Sequence, residues 1–190
     1  IEQYLTCPLE AKVQDRFAEG LLLTLIEEGP KALTEPGKSD LKVRGNIMWS
    51  ATQALNGLIG AGVAQDWSTH MIGHELTAAY GIDHARTLSI VLPAVMKVCR
   101  QSKREKLLQY AARVWQLTGG DEEHRIDEAI GLTEAFFVKM AVPVRLGDVN
   151  LGAAEVEHLL AKLEQHGMSS LGENGDIDLA VSREILTTAL

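Results

Sequence analysis

Apolar residues recur along this chain at helical intervals, and Gly or Pro breaks the runs apart. Leu9, Val13, Phe17, Leu21, Leu22 and Leu25 predict a helix from Leu9 to Glu28 with one wide buried stripe, stopped by Gly29-Pro30. Residues 1–8 read as the exit of an earlier helix, closed by Pro8. A turn-rich connection over 34–39 leads to a second long helix over 40–60, N-capped at Ser39 or Asp40, with Ile47, Met48, Ala51, Ala54, Leu55 and Leu58 as its apolar face. A helix from near Asp66 to Tyr80 stops at Gly81. Residues 85–99 are nearly all apolar in their second half and predict the central buried segment, which Pro93 kinks or starts. Amphipathic helices follow over 103–118, 122–140 and 153–166. Their inward positions are Leu107, Leu108, Ala111, Val114, Trp115 and Leu117, then Ile126, Ile130, Phe137 and Met140, then Val156, Leu159, Leu160 and Leu163. The last helix spans Asp178 to Leu190, with Val181, Ile185 and Leu186 inward.

The 190 residues, 46% of them hydrophobic, are enough for one domain with a proper core and too apolar for a disordered chain. The net charge of −8 argues against nucleic acid or an anionic membrane as partner. The basic stretch Arg100 to Lys106 is short and interrupted, and reads as a solvated turn and helix start. No run is long enough to span a bilayer, and no signal peptide is present. Cys7 and Cys99 lack metal-ligand spacing and read as buried or indifferent thiols of a reducing, cytoplasmic compartment. Asn56 reads as a polar residue bonded to neighbouring backbone.

Candidate chemistry is concentrated in 66–93, where His70, His74 and His84 fall within fifteen residues. His70 and His74 share one helix face, and a turn at Gly81 can return His84 beside it. Clustered neutral imidazoles suit a first-row transition metal. Met71, Ile72 and Gly73 stand between the first pair, so the HExxH of a metalloprotease is absent. No GxGxxG on a strand-helix pattern and no Walker motif occurs, so no dinucleotide-binding unit is recognisable.

The stretch His70-x3-His74-x-Leu76-x3-Tyr80-x3-His84, running on to Leu92-Pro93, resembles the histidine signature of the iron-containing (group III) alcohol dehydrogenases. Glu2-Gln3-Tyr4, Gln14 to Gly20, Ala51 to Gly57 and Leu171 to Ile177 are also similar to that family. The likeness covers nearly the whole chain and is nearest the NADPH-dependent aldehyde reductase branch, related to butanol dehydrogenases.

The resemblance implies an all-α multi-helix bundle of the dehydroquinate synthase-like, iron-containing alcohol dehydrogenase C-terminal type. Residues 1–190 would form the metal-binding catalytic domain, and the N-terminal dinucleotide-binding domain would be absent from the chain. It also favours a helix over a strand for 85–99, which periodicity alone leaves open. It maps two metal ligands onto His70 and His84 and places His74 near metal and substrate as a catalytic residue. The remaining Asp and His ligands would lie upstream of Ile1. The expected cofactors are Fe2+ or Zn2+, with NADP(H) or NAD(H) in the full-length enzyme. The expected reaction is hydride transfer between that nicotinamide and an aldehyde or primary alcohol, in a homo-oligomer. Half a ligand set implies little metal and no turnover for residues 1–190 alone. Asp83 is a candidate partner for His84, though helix-end solvation accounts for it more simply. Two other readings stand beside the enzyme. One is a non-catalytic helical binding domain. The other is a structural metal module drawing on His124, His158 or His166.

Overall fold

A computed structural model describes residues 1–6 and 9–190, so Cys7 and the helix stop expected at Pro8 lie outside the described residues. The described residues form α1 (Lys12–Glu28), α2 (Leu41–Leu55), α3 (Ser68–Tyr80), α4 (His84–Val98), α5 (Arg104–Arg113), α6 (Glu122–Lys139), α7 (Ala153–Gln165) and α8 (Leu179–Thr188). The all-α expectation holds. One small addition is an antiparallel hairpin of β1 (Ser170–Leu171) and β2 (Ile177–Asp178), pairing Ser170 with Asp178 and Leu171 with Ile177. Two-residue strands are too short to carry a periodic signal.

The chain divides into two compact units. Ile1, Gln3–Ala64 and Glu105–Ala129 make one; Glu2, Gln65–Arg104 and Ile130–Leu190 make the other. In the first, α1 packs against α2 and their faces depart from expectation. Asp15, Ala18 and Glu19 are buried, while Val13 on the opposite side of the helix is 79% exposed. The reason is a polar network. Lys106 and Gln109 donate to Asp15, Arg113 and the Tyr4 hydroxyl donate to Glu19, and the Lys106 ammonium sits 4.1 Å from the Tyr4 ring centroid. Two carboxylates with charged donors in place hold that side of α1 inward, since an unpaired buried charge would cost far more than an exposed valine.

Asp40 does cap α2, accepting from the Lys42 N–H at 2.8 Å. The helix ends at Leu55 instead of running to 60, because Gly57 turns left-handed at φ +89°. Asn56 accepts from the Leu58 N–H at 3.0 Å, the backbone-bonding role expected of it. Its apolar face points outward: Val43 and Ser50 are the buried positions, whereas Leu41, Met48 and Leu55, seven residues apart, are exposed, Leu55 by 82%.

In the second unit the core runs through Ile72 and Leu76 of α3, Ile90, Val91, Ala94 and Val95 of α4, Val156, Leu159, Leu160 and Leu163 of α7, and Ile185 and Leu186 of α8. These match the inward positions expected for α7 and, with Val181 packed against the cluster, for α8. Asp178 caps α8 by accepting from the Val181 N–H at 2.9 Å. Pro93 lies inside α4, whose ladder lacks that donor. Cys99 is a buried free thiol, pushed up to about 11 by burial.

The basic stretch is a turn and helix start, as read, but its lysines are not solvated. Lys103 is 4% exposed, with its ammonium 2.9 Å from both carboxylate oxygens of Glu173 and 3.1 Å from Asp66, itself 1% exposed. Lys106 is buried on Asp15. Spacing alone read both as surface cations, because their partners lie far away in the chain. The run Leu171 to Ile177 thereby has a structural use: its hairpin presents Glu173 to Lys103.

Gly73 sets how closely α3 and α4 approach. A Cβ there would lie 2.9 Å from the Thr87 hydroxyl and 3.4 Å from Leu88. Thr87 is fully buried and donates to the His84 carbonyl, so it has little room to yield.

Gly73→Ala is therefore expected to destabilise the protein by about 1–3 kcal/mol, read as a lower urea midpoint at unchanged slope. Lys103→Met is expected to cost about 3–5 kcal/mol, since it strands the buried Asp66, whereas Arg183→Met, at a residue that pairs with the exposed Glu157, is expected to cost below about 1 kcal/mol. Burial alone would lower the Lys103 value, but Asp66 and Glu173 outweigh it and hold the ammonium above its ordinary range. A raised folded value gives stability that is complete below about pH 10.4 and lost as pH rises beyond it. Alkaline unfolding curves of wild type and Lys103→Met should therefore converge.

Candidate metal centre

α3 begins at a junction where its first N–H groups need acceptors. Trp67 occupies the N-cap without a side-chain cap bond. The Ser68 N–H is taken instead by Asp66 at 2.7 Å, and the Thr69 N–H by the Glu2 carboxylate at 2.7 Å. Two anions at a helix N-terminus also complement its dipole.

The helix then carries His70 and His74 one turn apart. Gly81, at φ +67°, closes α3 in the left-handed conformation, and His84 opens α4. With α3 and α4 in contact along Gly73, the three imidazoles converge. Ring centroids lie 6.2 Å apart for His70 and His74, 5.3 Å for His70 and His84, and 5.1 Å for His74 and His84. The structure thus brings together the three residues singled out in the sequence.

Glu2 is the member that sequence reading missed as a functional residue. Its second carboxylate oxygen accepts a hydrogen bond from His70 Nδ1 while the first holds Thr69. Glu2 is buried and His70 half-buried. A carboxylate oxygen accepts only, so Nδ1 carries the proton and the lone pair is on Nε2. Trp67 lies edge-on to the His70 ring, 5.1 Å between centroids. His84 is held below the ordinary imidazole value, first by burial and then by His70 and His74. That favours the neutral form a metal requires.

The donor chemistry therefore fits a divalent transition metal, with one imidazole fixed in tautomer and another kept neutral. Among the described residues, however, no group of three or more His, Cys, Asp and Glu side chains could hold an ion by itself. Asp83 stands at the N-cap of α4, its carbonyl accepting from Arg86 and Thr87, and its side chain makes no cap bond. The other histidines are dispersed. His166 pairs with Glu75 at 2.7 Å, His158 lies against the Tyr80 ring, and exposed His124 is 3.7 Å from Glu128. No helix among the described residues is long and apolar enough to cross a membrane.

Relatives match this chain over most or all of its length. NADPH-dependent aldehyde reductase YqhD of Escherichia coli is 61% identical over 189 residues, covering 100% of this chain and 48% of the relative. NADH-dependent butanol dehydrogenase A of Clostridium acetobutylicum is 34% identical over 163 residues, 85% of this chain and 41% of that protein. The solved structure of E. coli YqhD, free of substrate and cofactor, superposes with a TM-score of 0.96 at 60% identity, covering 100% of this chain and 49% of that one. The structure of NADH-dependent butanol dehydrogenase A from Thermotoga maritima gives 0.87 at 26% identity, over 98% and 49%. The chain thus spans about half the length of the relatives it matches. Residues 1–178 match the profile of the Fe-containing alcohol dehydrogenase family, C-terminal part, and with these relatives they establish that the chain belongs to that family.

Proposed function

We propose that residues 1–190 are the helical metal-binding domain of a nicotinamide-dependent alcohol dehydrogenase or aldehyde reductase. On this reading His70 and His84 are metal ligands and His74 is the catalytic histidine nearest the substrate oxygen. The observation that carries the reading is the convergence of the three imidazoles across the α3–α4 junction, with Glu2 behind His70. The remaining ligands, an Asp and a His, come from a preceding helix, and an N-terminal α/β domain binds the nicotinamide. NADPH is favoured by the likeness to the E. coli reductase. Imidazole and carboxylate serve Fe2+ and Zn2+ alike, so occupancy follows availability as much as affinity. On this reading the full-length enzyme works in the cytoplasm as a homo-oligomer. The exposed apolar side of α2 supports a larger assembly around this chain.

A divalent ion bound here supplies a Lewis acid for a carbonyl or hydroxyl oxygen. The chain's own residues do the rest. Glu2 and the α3 backbone fix His70, and partial desolvation beside two other imidazoles favours the neutral form of His84. His74 is exposed on the same face, where its ring can orient the substrate oxygen or pass it a proton near neutral pH. Trp67 lies edge-on along one side of His70.

In the full-length protein, metal content after loading with Zn2+ or Fe2+ is expected to be one equivalent per chain. His70→Ala and His84→Ala are each expected to abolish it, and His74→Ala to retain metal while lowering kcat by about 100-fold or more. Unchanged metal content in both ligand variants would leave the histidine cluster as packing and favour the non-catalytic helical domain.

A further inference from the structure

We infer that Glu2 is a positioning residue for the metal site: its carboxylate fixes the His70 imidazole in the tautomer that leaves Nε2 free for the ion. This rests on the proposed metal reading and adds a residue to it. Glu2 is buried, so its oxygens have protein donors to satisfy, and each oxygen has one. Oε1 takes the Thr69 N–H at 2.7 Å and Oε2 takes His70 Nδ1. Thr69 and His70 are consecutive residues in the first turn of α3. One planar group therefore grips the helix backbone and the adjacent ring together, which sets the ring's rotation as well as its tautomer. Asp66 does a similar capping job at Ser68, and its other oxygen faces the Lys103 ammonium at 3.1 Å. It therefore serves as a built-in comparison: a capping carboxylate on the same helix end whose second oxygen faces a lysine.

The geometry also says why an amide is a poor replacement. Glu2 faces two N–H donors and needs two acceptors. A glutamine offers one acceptor and one NH2, so whichever way it turns, one donor meets another. The chemistry at stake is ligand orientation, for which loss of an outer partner weakens metal binding by about 10–100-fold.

The test uses the full-length protein and Zn2+ as the probe. Glu2→Gln and Glu2→Ala are compared with Asp66→Asn, which weakens the cap at Ser68 and leaves Glu2 in place. Zn2+ affinity is measured by competition with a chelator, and the protonation of each His70 nitrogen by 15N NMR of the metal-free protein. In wild type, Nδ1 is expected to carry the proton. Both Glu2 variants are expected to show mixed tautomers and about 10–100-fold weaker Zn2+ binding. Asp66→Asn is expected to lower thermal stability while keeping the wild-type tautomer and affinity. The NMR comparison does not depend on metal, and Glu2→Gln preserves volume if Glu2→Ala fails to fold. The inference is overturned if the Glu2 variants keep the wild-type tautomer, or weaken Zn2+ no more than Asp66→Asn does. His70→Ala separates this from the larger reading. If it abolishes Zn2+ binding and Glu2→Gln leaves it intact, the Glu2 inference alone falls. If His70→Ala itself leaves Zn2+ binding intact, the metal reading fails and takes the inference with it.

Discussion

The distance between α3 and α4 governs the histidine site, and it is set by a missing side chain. Gly73 lies between the two histidines of α3, facing a fully buried Thr87 one turn into α4. Any larger residue would push the helices apart in a core packed at crystal-like density. The same contact brings the first residue of α4, His84, beside His70 and His74. Gly81 contributes differently, by letting the chain reverse at a positive φ that costs other residues energy. Neither glycine touches a ligand or a substrate, yet the convergence of the imidazoles needs both.

Charges fix the register that the glycines make possible. Lys103 holds Asp66, and Asp66 caps α3, so a cation remote in sequence helps decide where the histidine helix begins. Glu173, on the β-hairpin, shares that cation. Such buried groups contribute little net stability over apolar residues of the same shape, but removing one partner leaves an uncompensated charge. They therefore favour one arrangement over near neighbours more than they deepen the energy well. The Asp15 and Glu19 network acts in the same way on α1, where it decides which side of the helix is buried.

Sequence patterns made the helices legible, along with the histidine face, the cap at Asp40 and the stop at Gly81. All of these are local, decided within a turn or two of helix. Long-range pairing was not legible. Lys103 and Lys106 sit in a charged run and were read as solvated, because their carboxylate partners lie 70 and 91 residues away. Val13, Phe17, Met48 and Leu55 were read as core because apolar residues at helical spacing usually are; here the paired charges of α1 turn its apolar side outward, and α2 buries Val43 and Ser50 in place of Met48 and Leu55. Glu2 was visible only as part of a familial triplet. A signal for it did exist: a carboxylate in a largely apolar N-terminal segment has to find donors if it is buried.

On the proposed reading, two ligands sit at the α3–α4 junction and two arrive from another helix. Two neutral imidazoles bind a metal weakly when both must be ordered on binding, because each immobilised side chain subtracts from the affinity. Here the surrounding protein supplies much of that ordering. The Gly73 contact fixes the separation of the two helices, Glu2 fixes the ring and tautomer of His70, and the surroundings of His84 keep it neutral. On that reading the protein itself orients this half of the ligand set. Affinity in such a site depends on preorganisation as much as on ligand count, so residues that never touch the ion, Gly73 and Glu2 among them, belong to the metal chemistry as fully as the histidines they hold in place.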